Sequence, residues 1–295
     1  MHNKVYIPRL EIEYVVQSLA ETYDWGLIDL NIPEFHKKTF GEDINICIID
    51  SGKSEHFELE NRIKDVVNLT DSNTDKDKTG HSTFTSGIVA AEVNNTGIIG
   101  VAPKANIYFA KAIGDGGNGS PDWLAKSINW AIEKKVDIIS ISAGLFFEYA
   151  PLHKSVVDAY NNNIIIVAAV GNSANRYEDV AYPARYKEVI GVAAYDKNHK
   201  IASFSSRGVN ISFSMPGVDI YSCWLQNQYV KASGTSHATP VMAGICALII
   251  SFYRKKNIEI NSKNIMEYLK KHSRKLEDLD KNVAGYGTVD LNTIT

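Results

Sequence analysis

The sequence predicts an α/β fold: a doubly wound, mainly parallel sheet with helices on both faces. Two observations predict it. Short runs of mainly apolar, often β-branched residues recur along the middle of the chain, as is typical of strands buried on both faces. They cover residues 44–49, 108–113, 136–141 and 164–170. Helical patterns lie between these runs, and strands that alternate with helices indicate βαβ units and a parallel sheet.

The boundaries and spacing of two helices can be predicted. Ser120 and Pro121 are typical of an N-cap followed by the first position of a helix. Leu124 and Ile128 follow at helical spacing. A second helix is predicted around residues 152–160, directly before the last of the apolar runs.

Composition excludes several classes of protein. The 295 residues are 44% hydrophobic and 22% charged, with a formal net charge of −3, which is typical of a globular protein rather than a disordered or fibrous one. The near-balanced charge argues against a nucleic-acid partner, because phosphate binding needs a basic excess. No repeat or linker divides the chain. We expect an N-terminal extension, residues 1–24, and one domain, residues 25–295.

Cysteines and apolar segments suggest the compartment. Cys47, Cys223 and Cys246 are too few for a disulfide framework and lie among apolar residues, which favours buried free thiols. The first residues lack the apolar stretch of a signal peptide. The most apolar segment, residues 241–253, is shorter than the roughly 20 residues that span a bilayer. We therefore expect a cytoplasmic protein without a membrane span, while the oligomeric state stays open.

Three polar residues stand at the ends of predicted elements. Asp50 ends the first strand, His81 lies where a loop becomes a helix, and Ser236 opens the long apolar helix. Each alone indicates a turn, a structural histidine or an N-cap. Together they are the carboxylate, imidazole and hydroxyl that acyl transfer requires. Ligands of open α/β sheets bind at the carboxyl ends of strands, where Asp50 would lie, and a helix N-terminus beside Ser236 suits an oxyanion.

The order of these motifs, Asp-Ser-Gly, Gly-His-Ser-Thr and Gly-Thr-Ser, resembles that of the subtilisin-like serine peptidases, or subtilases. The resemblance covers most of the chain, from about residue 25 to residue 290. It implies a serine endopeptidase in which Asp50 orients His81, His81 is the general base and then the general acid, and Ser236 attacks the scissile carbonyl. It also implies that Asn172 stabilises the oxyanion together with the Ser236 N–H, although Gly-Asn alone would indicate a turn.

The same resemblance implies a peptide substrate bound as an added strand between two segments of the chain. It further implies an S1 pocket, which Val170 and Ala181 would narrow, a more distant apolar subsite, and a cis peptide bond between Tyr182 and Pro183. The preferred P1 residue stays open. The implied substrate-binding residues are Gly117, Asn118, Gly119, Pro121, Leu124, Ser142, Ala143, Gly144, Ala168, Ala169, Val170 and Ala181.

Residues 92–98 resemble the calcium loop of the family, and oxygen ligands of the implied kind suit Ca²⁺. Glu58 and Asn94 would contribute side chains and the other ligands carbonyls, with Glu58 standing where an aspartate is expected because its segment is one residue short. A structural calcium ion, not required for the chemistry, is one interpretation. A simple turn is the other. The implied metal ligands are Glu58, Glu92, Asn94, Thr96 and Ile98.

Several departures from the family pattern bear on function. Ser82 and Phe84 stand where the family usually has glycine and a second histidine, and neither removes a triad atom. The bulky residues 145–147, Leu-Phe-Phe, predict an apolar and selective cleft rim. Residues 6–8, Tyr-Ile-Pro, resemble the extension of intracellular subtilisins, which lies across the active site until it is cut. A terminus docked on the surface is the alternative.

These features leave three functional hypotheses. The first is selective processing of a precursor, as by the leader peptidases of lantibiotic biosynthesis, which the apolar residues 145–147 favour. The second is general intracellular protein turnover. The third, suggested by Ser82 and Phe84, is a catalytically silent subtilase fold that binds peptides.

Overall fold

The computed structural model describes residues 4–6, 12, 14–16, 20–174, 180–276 and 280–295. Its strands are β1 Val5–Tyr6, β2 Tyr14–Val16, β3 Asn45–Asp50, β4 Ile63–Asn68, β5 Asn106–Lys111, β6 Asn118–Gly119, β7 Ile138–Ile141, β8 Ile165–Ala169, β9 Val189–Tyr195, β10 Phe213–Pro216, β11 Ile220–Trp224, β12 Gln228–Ala232, β13 Ser273–Arg274 and β14 Thr288–Val289. Its helices are α1 Trp25–Asp29, α2 Ile32–His36, α3 His81–Ala90, α4 Pro121–Glu133, α5 Ala150–Asn161, α6 Thr235–Arg254, α7 Ile265–Lys271 and α8 Lys281–Ala284. Short 3₁₀ turns cover Phe57–Leu59, Leu225–Asn227 and Leu291–Thr293.

A seven-stranded sheet lies at the centre of the described chain, in the order β10-β9-β8-β7-β3-β5-β4. Each neighbouring pair in it is parallel. The apolar runs of the sequence form β3, β5, β7 and β8, and the two predicted helices are α4 and α5. The predicted fold class is confirmed. β9 and β10, which the sequence analysis did not place, extend the sheet at one edge.

Side chains of the sheet alternate between two apolar cores, because successive strand residues point to opposite faces. In β3, Ile46 and Ile48 belong to the core that contains α3 and α6. Cys47 and Ile49 belong to the core that contains α4 and α5. All three cysteines are buried free thiols, as predicted.

The longest helix, α6, also tests the expectation of no membrane span. It has 20 residues and is longer than the expected segment 241–253, so by length and composition it could cross a membrane. However, 94% of its most apolar 18-residue stretch is buried inside the protein. Its burial, rather than a short length, therefore argues that it is a core helix.

The strand order reverses at β3. The chain passes from β3 to β4 and β5 on one side and only later adds β7 and β8 on the other. Such a reversal is a topological switch point, and ligands of open α/β sheets bind there, beyond the carboxyl ends of the strands. Asp50 is the last residue of β3 and lies at this point.

Two short strands precede the first helix, and each pairs with the rest of the protein. β1 pairs antiparallel with β6, which sets Val5 opposite Gly119. β2 pairs antiparallel with β12 in the three-stranded sheet β11-β12-β2. Ile7 and Pro8, on which the resemblance to the intracellular extension rests, lie outside the described residues. The domain boundary at residue 25 stays a prediction.

Candidate active site

Asp50 and His81 meet at the switch point. The Nδ1 atom of His81, the first residue of α3, lies 2.7 Å from Oδ1 and 2.9 Å from Oδ2 of Asp50. The Thr85 hydroxyl donates to Oδ2 at 3.1 Å. Both side chains of the pair are only 1% exposed. A carboxylate at Nδ1 favours the tautomer in which Nε2 is the free proton acceptor.

The charges around His81 favour its protonated form. Burial lowers the pKa of His81, but the charge and hydrogen bond of Asp50 and the charge of Asp77 raise it, so that the pKa lies above its usual value. The sequence analysis missed Asp77. An aspartate shortly before the start of a helix is a capping signal that would have found it.

Ser236 is the second residue of α6, and two loops hold the first turn of this helix. The backbone N–H and the hydroxyl of Thr235 donate to Asn172 Oδ1 at 3.0 and 2.7 Å. The Ser236 carbonyl would normally accept a hydrogen bond from residue 240, but Pro240 has no N–H. The Ser142 hydroxyl donates to that carbonyl instead, at 2.9 Å. Asn172 follows β8 and Ser142 follows β7, so both strands position the serine.

The hydroxyl of Ser236 is not hydrogen-bonded to His81. It donates to the Ser142 carbonyl at 3.1 Å, and the buried Nε2 of His81 has no hydrogen-bond partner among the described residues. The residue after the serine, His237, brings its ring centroid to 6.5 Å from that of His81. Catalytic hydrogen bonds are often misaligned without substrate and form when it binds.

His237 and Phe84 fill the space behind the site. Their ring centroids are 4.5 Å apart, and His237 is fully buried. Burial and, next, the charge of His81 lower the pKa of His237 to about 3, although the carbonyl of Ala232 opposes this. His237 is therefore uncharged near neutral pH. Phe84, which stands where the family usually has a second histidine, supplies apolar packing here. Its side chain has no polar atom and so does not compete for the hydrogen bonds between Asp50 and His81.

A cleft of about 200 Å³ opens beside Ser236. Ala169 lines it, whereas Ala168 and Val170 are buried in the core with α4 and α5, because neighbouring strand residues face opposite ways. Val170 therefore does not narrow this cleft, contrary to the expectation. Phe146 supplies an aromatic wall that was expected only as part of the rim. The lining residues are Ser142, Ala143, Gly144, Phe146, Ala169, Gly171, Asn172, Ser173, Ala181, Thr235 and Ser236.

The segment expected to hold substrate, residues 117–119, carries the N-terminal strand in this structure. Gly117 adopts a positive φ of 76°, and Asn118 and Gly119 form β6. A Cβ on Gly119 would lie 2.7 Å from the Ala112 carbonyl oxygen and 3.3 Å from Val5 Cβ. Glycine is therefore required at 119 mainly by the Ala112 carbonyl, and a side chain there would also crowd β1.

The residues expected to form the apolar subsite lie at the start of α4. Pro121 and Leu124 are buried there, and the Ser120 hydroxyl accepts a hydrogen bond from the Asp122 N–H, as an N-cap does. Val5 is fully buried in the same apolar cluster as Leu124. The peptide bond between Tyr182 and Pro183 is cis, as the resemblance implied.

The predicted calcium loop is closed by hydrogen bonds to Glu58. The Tyr229 hydroxyl donates to Oε1 of this buried carboxylate at 2.6 Å, and the Ile98 N–H donates to the same oxygen at 3.1 Å. The Asn94 amide donates to Oε2 at 2.8 Å. Burial raises the pKa of Glu58, and these donors lower it by less.

Two polar side chains of this loop are also hydrogen-bonded, although at Glu92 the implied ligand is the carbonyl and not the carboxylate. Asn94 Oδ1 accepts from the Thr96 N–H at 3.0 Å, and the Glu92 carboxylate pairs with Arg62 at 2.6 Å. In the described parts of the chain, no three histidine, cysteine, aspartate or glutamate side chains converge as metal ligands. A calcium ion needs converging oxygen lone pairs, whereas hydrogen-bond donors converge on Glu58. As arranged here, the side chains of Glu58 and Asn94 do not fit the implied ion.

A buried Asp–His pair and a serine at a helix N-terminus, on a doubly wound sheet, define a serine hydrolase. Residues 41–287 match the model of the subtilase family, Peptidase_S8. The chain belongs to this family, and it is a subtilisin-like serine endopeptidase that hydrolyses peptide bonds in polypeptides.

Three relatives show the extent of the similarity. The thermostable alkaline protease of Halalkalibacterium halodurans is 38% identical over 80% of this chain, which spans 65% of that protein. The major intracellular serine protease of Bacillus subtilis is 34% identical over 89% of this chain and 86% of its own length. The intracellular serine protease of Paenibacillus polymyxa is 34% identical over 84% of this chain and 79% of its own length.

Proposed function

We propose that Asp50, His81 and Ser236 form the catalytic triad and that Asn172 completes the oxyanion site. The Asp50–His81 hydrogen bond of 2.7 Å carries this assignment, together with a serine at the start of α6 whose neighbour His237 has its ring centroid 6.5 Å from that of His81. Both hydrogen bonds that hold Asn172 use Oδ1. Its amide N–H groups are thereby left for a ligand in the cleft that it lines.

In the proposed mechanism, Ser236 Oγ attacks the scissile carbonyl carbon while His81 Nε2 takes its proton. Asp50 stabilises the resulting imidazolium. The oxyanion accepts hydrogen bonds from the Asn172 amide and the Ser236 N–H. The C–N bond then breaks as His81 returns the proton to the leaving amine. A water molecule, deprotonated by His81, hydrolyses the acyl-enzyme and restores the serine.

We further propose that the enzyme selectively cleaves a precursor in the cytoplasm; a lantibiotic leader is one such substrate class. The support is the apolar cleft, to which Phe146 and Ala169 contribute side chains. General protein turnover is the second candidate, favoured by the two relatives that are named intracellular serine proteases. Those relatives also support the cytoplasmic location.

Fluorophosphonate labelling tests the triad, and peptide profiling tests the role. A fluorophosphonate should modify Ser236 in the wild type and leave Ser236→Ala unlabelled. An unmodified Ser236 in folded, N-terminally processed protein would contradict the triad and support a silent peptide-binding fold. Cleavage of a peptide library at one narrow motif supports processing, whereas broad cutting of denatured proteins supports turnover.

The N-terminal strand is proposed to occupy the substrate site until it is displaced or cut. The support is the antiparallel pairing of β1 with β6, where a substrate strand is expected, and the complete burial of Val5. Fully burying a valine contributes roughly 1.5–3 kcal/mol. Val5→Asp should therefore label at Ser236 about tenfold faster than the uncut wild type.

Ile12→Asp is the matched control for this experiment. Ile12 belongs to the same extension but is 44% exposed, so its replacement should leave the labelling rate unchanged. Equal rates for the wild type and both variants, with mass spectrometry showing intact N-termini, would show that β1 does not block the site.

A further inference from the structure

A second buried carboxylate, Asp77, lies beside the Asp50–His81 pair and is 4% exposed. Its Oδ1 accepts hydrogen bonds from the Ser51 hydroxyl at 2.9 Å, from the N–H and hydroxyl of Thr79 at 2.9 and 3.0 Å, and from the Gly80 N–H at 3.0 Å. Its Oδ2 accepts from the N–H and hydroxyl of Thr83, both at 2.8 Å.

These contacts make Asp77 the cap of α3. The residue before the helix, Gly80, has no side chain to accept from the unpaired N–H groups of the first turn. Asp77 accepts from one of these, the N–H of Thr83, although it lies outside the usual capping position. Its negative charge also interacts favourably with the positive end of the helix dipole. The first residue of this helix is His81.

The same network reaches the loop after Asp50. Ser51, its neighbour in sequence, donates to Asp77 and accepts from the Ser82 N–H at 3.1 Å, and its hydroxyl oxygen also lies 2.8 Å from that of Thr79. The residue after Asp50 is thus bonded to residues on both sides of His81. The relative placement of the carboxylate and the imidazole depends on this network.

We propose that Asp77 is a positioning residue for His81: it holds the first turn of α3 against the loop after Asp50, and its charge favours the imidazolium. The proposal rests on the proposed function, in which His81 is the general base. Proton uptake by His81 puts a positive charge in a buried site. A second fixed carboxylate stabilises that charge without itself exchanging a proton with His81.

Other titratable groups near α3 do not account for this effect. Asp50 and Asp77 are the groups whose charges raise the pKa of His81 in the described structure. His237 is uncharged near neutral pH, as shown above, and burial keeps the Cys223 thiol protonated by raising its pKa. The elements packed against α3 also carry the charged side chains of Lys111 on β5, Glu58 in the 57–59 turn and Arg254 on α6, and none of these is among the charges that shift the pKa of His81.

The experiment measures the second-order rate of fluorophosphonate labelling of Ser236 between about pH 5 and 9, in wild type and Asp77→Asn. Labelling requires neutral His81, so the rate falls as pH drops through the pKa of His81. Removing the charge should move this fall to lower pH. The rate at pH 5.5, as a fraction of the plateau, should rise about threefold or more. The plateau itself should drop, because the helix is held less firmly.

Asp24→Asn is the matched control. Asp24 is another buried capping aspartate, which accepts from the Gly26 N–H at 2.8 Å at the start of α1, and it is not among the charges that raise the pKa of His81. It should lower stability without moving the pH profile. Asp77→Ser is the second neutral variant if Asp77→Asn does not fold, since serine also accepts hydrogen bonds at helix starts.

The outcomes separate this proposal from the proposed function. Suppose that the wild type is labelled at Ser236 and that both neutral variants remain folded by circular dichroism. If their labelling rates then fall at the same pH as that of the wild type, Asp77 is merely a structural cap. If neither neutral variant folds, the role of Asp77 is structural and the proposal is overturned. If wild type itself shows no labelling at Ser236, the triad assignment fails.

Discussion

Two buried carboxylates, Asp50 at the end of β3 and Glu58 shortly after it, have different roles. Asp50 faces the imidazole of His81, a group that exchanges protons near neutral pH. Glu58, in the turn that follows, accepts hydrogen bonds from the Tyr229 hydroxyl, the Asn94 amide and the Ile98 N–H. These three donors do not give up protons near neutral pH. At Tyr229, burial and then the hydrogen bond and charge of Glu58 raise the pKa well above its usual value.

The difference shows that burial alone does not make a carboxylate reactive. Each of the two is almost inaccessible to solvent. At Asp50 the partner can carry the proton of a reaction, and Nε2 on the far side of its ring is unbonded. At Glu58 the carboxylate ties residues 94–98 to β12. The contacts of Asp50, which we call the first corner, are arranged for catalysis. Those of Glu58, the second corner, hold a loop in its shape.

The sharpest test of this comparison is to neutralise each carboxylate in turn. Asp50→Asn should lower kcat about 10⁴-fold, as in related triads, because an amide favours the wrong tautomer of the histidine. Glu58→Gln should leave kcat within about threefold, because no contact of Glu58 reaches a proposed catalytic residue. Steady-state kinetics on a peptide substrate of the processed enzyme would measure both.

Thermal melting of the two variants serves as the control. Glu58→Gln should melt at a lower temperature than the wild type, since its amide group can accept at only one of the two oxygen positions. A loss of kcat in Glu58→Gln as large as that in Asp50→Asn, in protein that remains folded, would break the distinction between the two corners.

The features that could be predicted from the sequence are those with a local signal. The central strands were predictable because continuous apolar runs are a local signal, and Asp50, His81 and Ser236 stand at strand and helix ends in a recognisable order. β1 and β2 were not, because two- and three-residue strands depend on partners far along the chain. Ser142 was predicted as a cleft residue, but its bond to the Ser236 carbonyl depends on Pro240, nearly a hundred residues further on.

A smaller effect is expected from removing one donor at the second corner. Tyr229→Phe should lower the free energy of unfolding by about 1.5–3 kcal/mol, the usual contribution of a hydrogen bond to a buried charged group. Tyr149→Phe, at a half-buried tyrosine whose exposed hydroxyl also donates to a carboxylate, Asp122, should show no measurable change. Urea denaturation measures both. If the free energy of unfolding fell equally in the two variants, the buried hydrogen bond to Glu58 would contribute no more stability than the exposed one to Asp122.

The smallest effect is expected from removing divalent metal. Donors already converge on both oxygens of Glu58, so a calcium ion would have to displace the bonds of Ile98, Asn94 and Tyr229 before it could bind. EDTA and millimolar calcium chloride should therefore give the same melting temperature for the wild type. Glu58→Asp sharpens the test, because the shorter side chain withdraws the carboxylate from its donors and opens space among the carbonyls of the loop. Calcium-dependent melting in Glu58→Asp alone would show that the length of Glu58 closes the site, whereas a wild type stabilised by calcium would show that the loop rearranges around the ion.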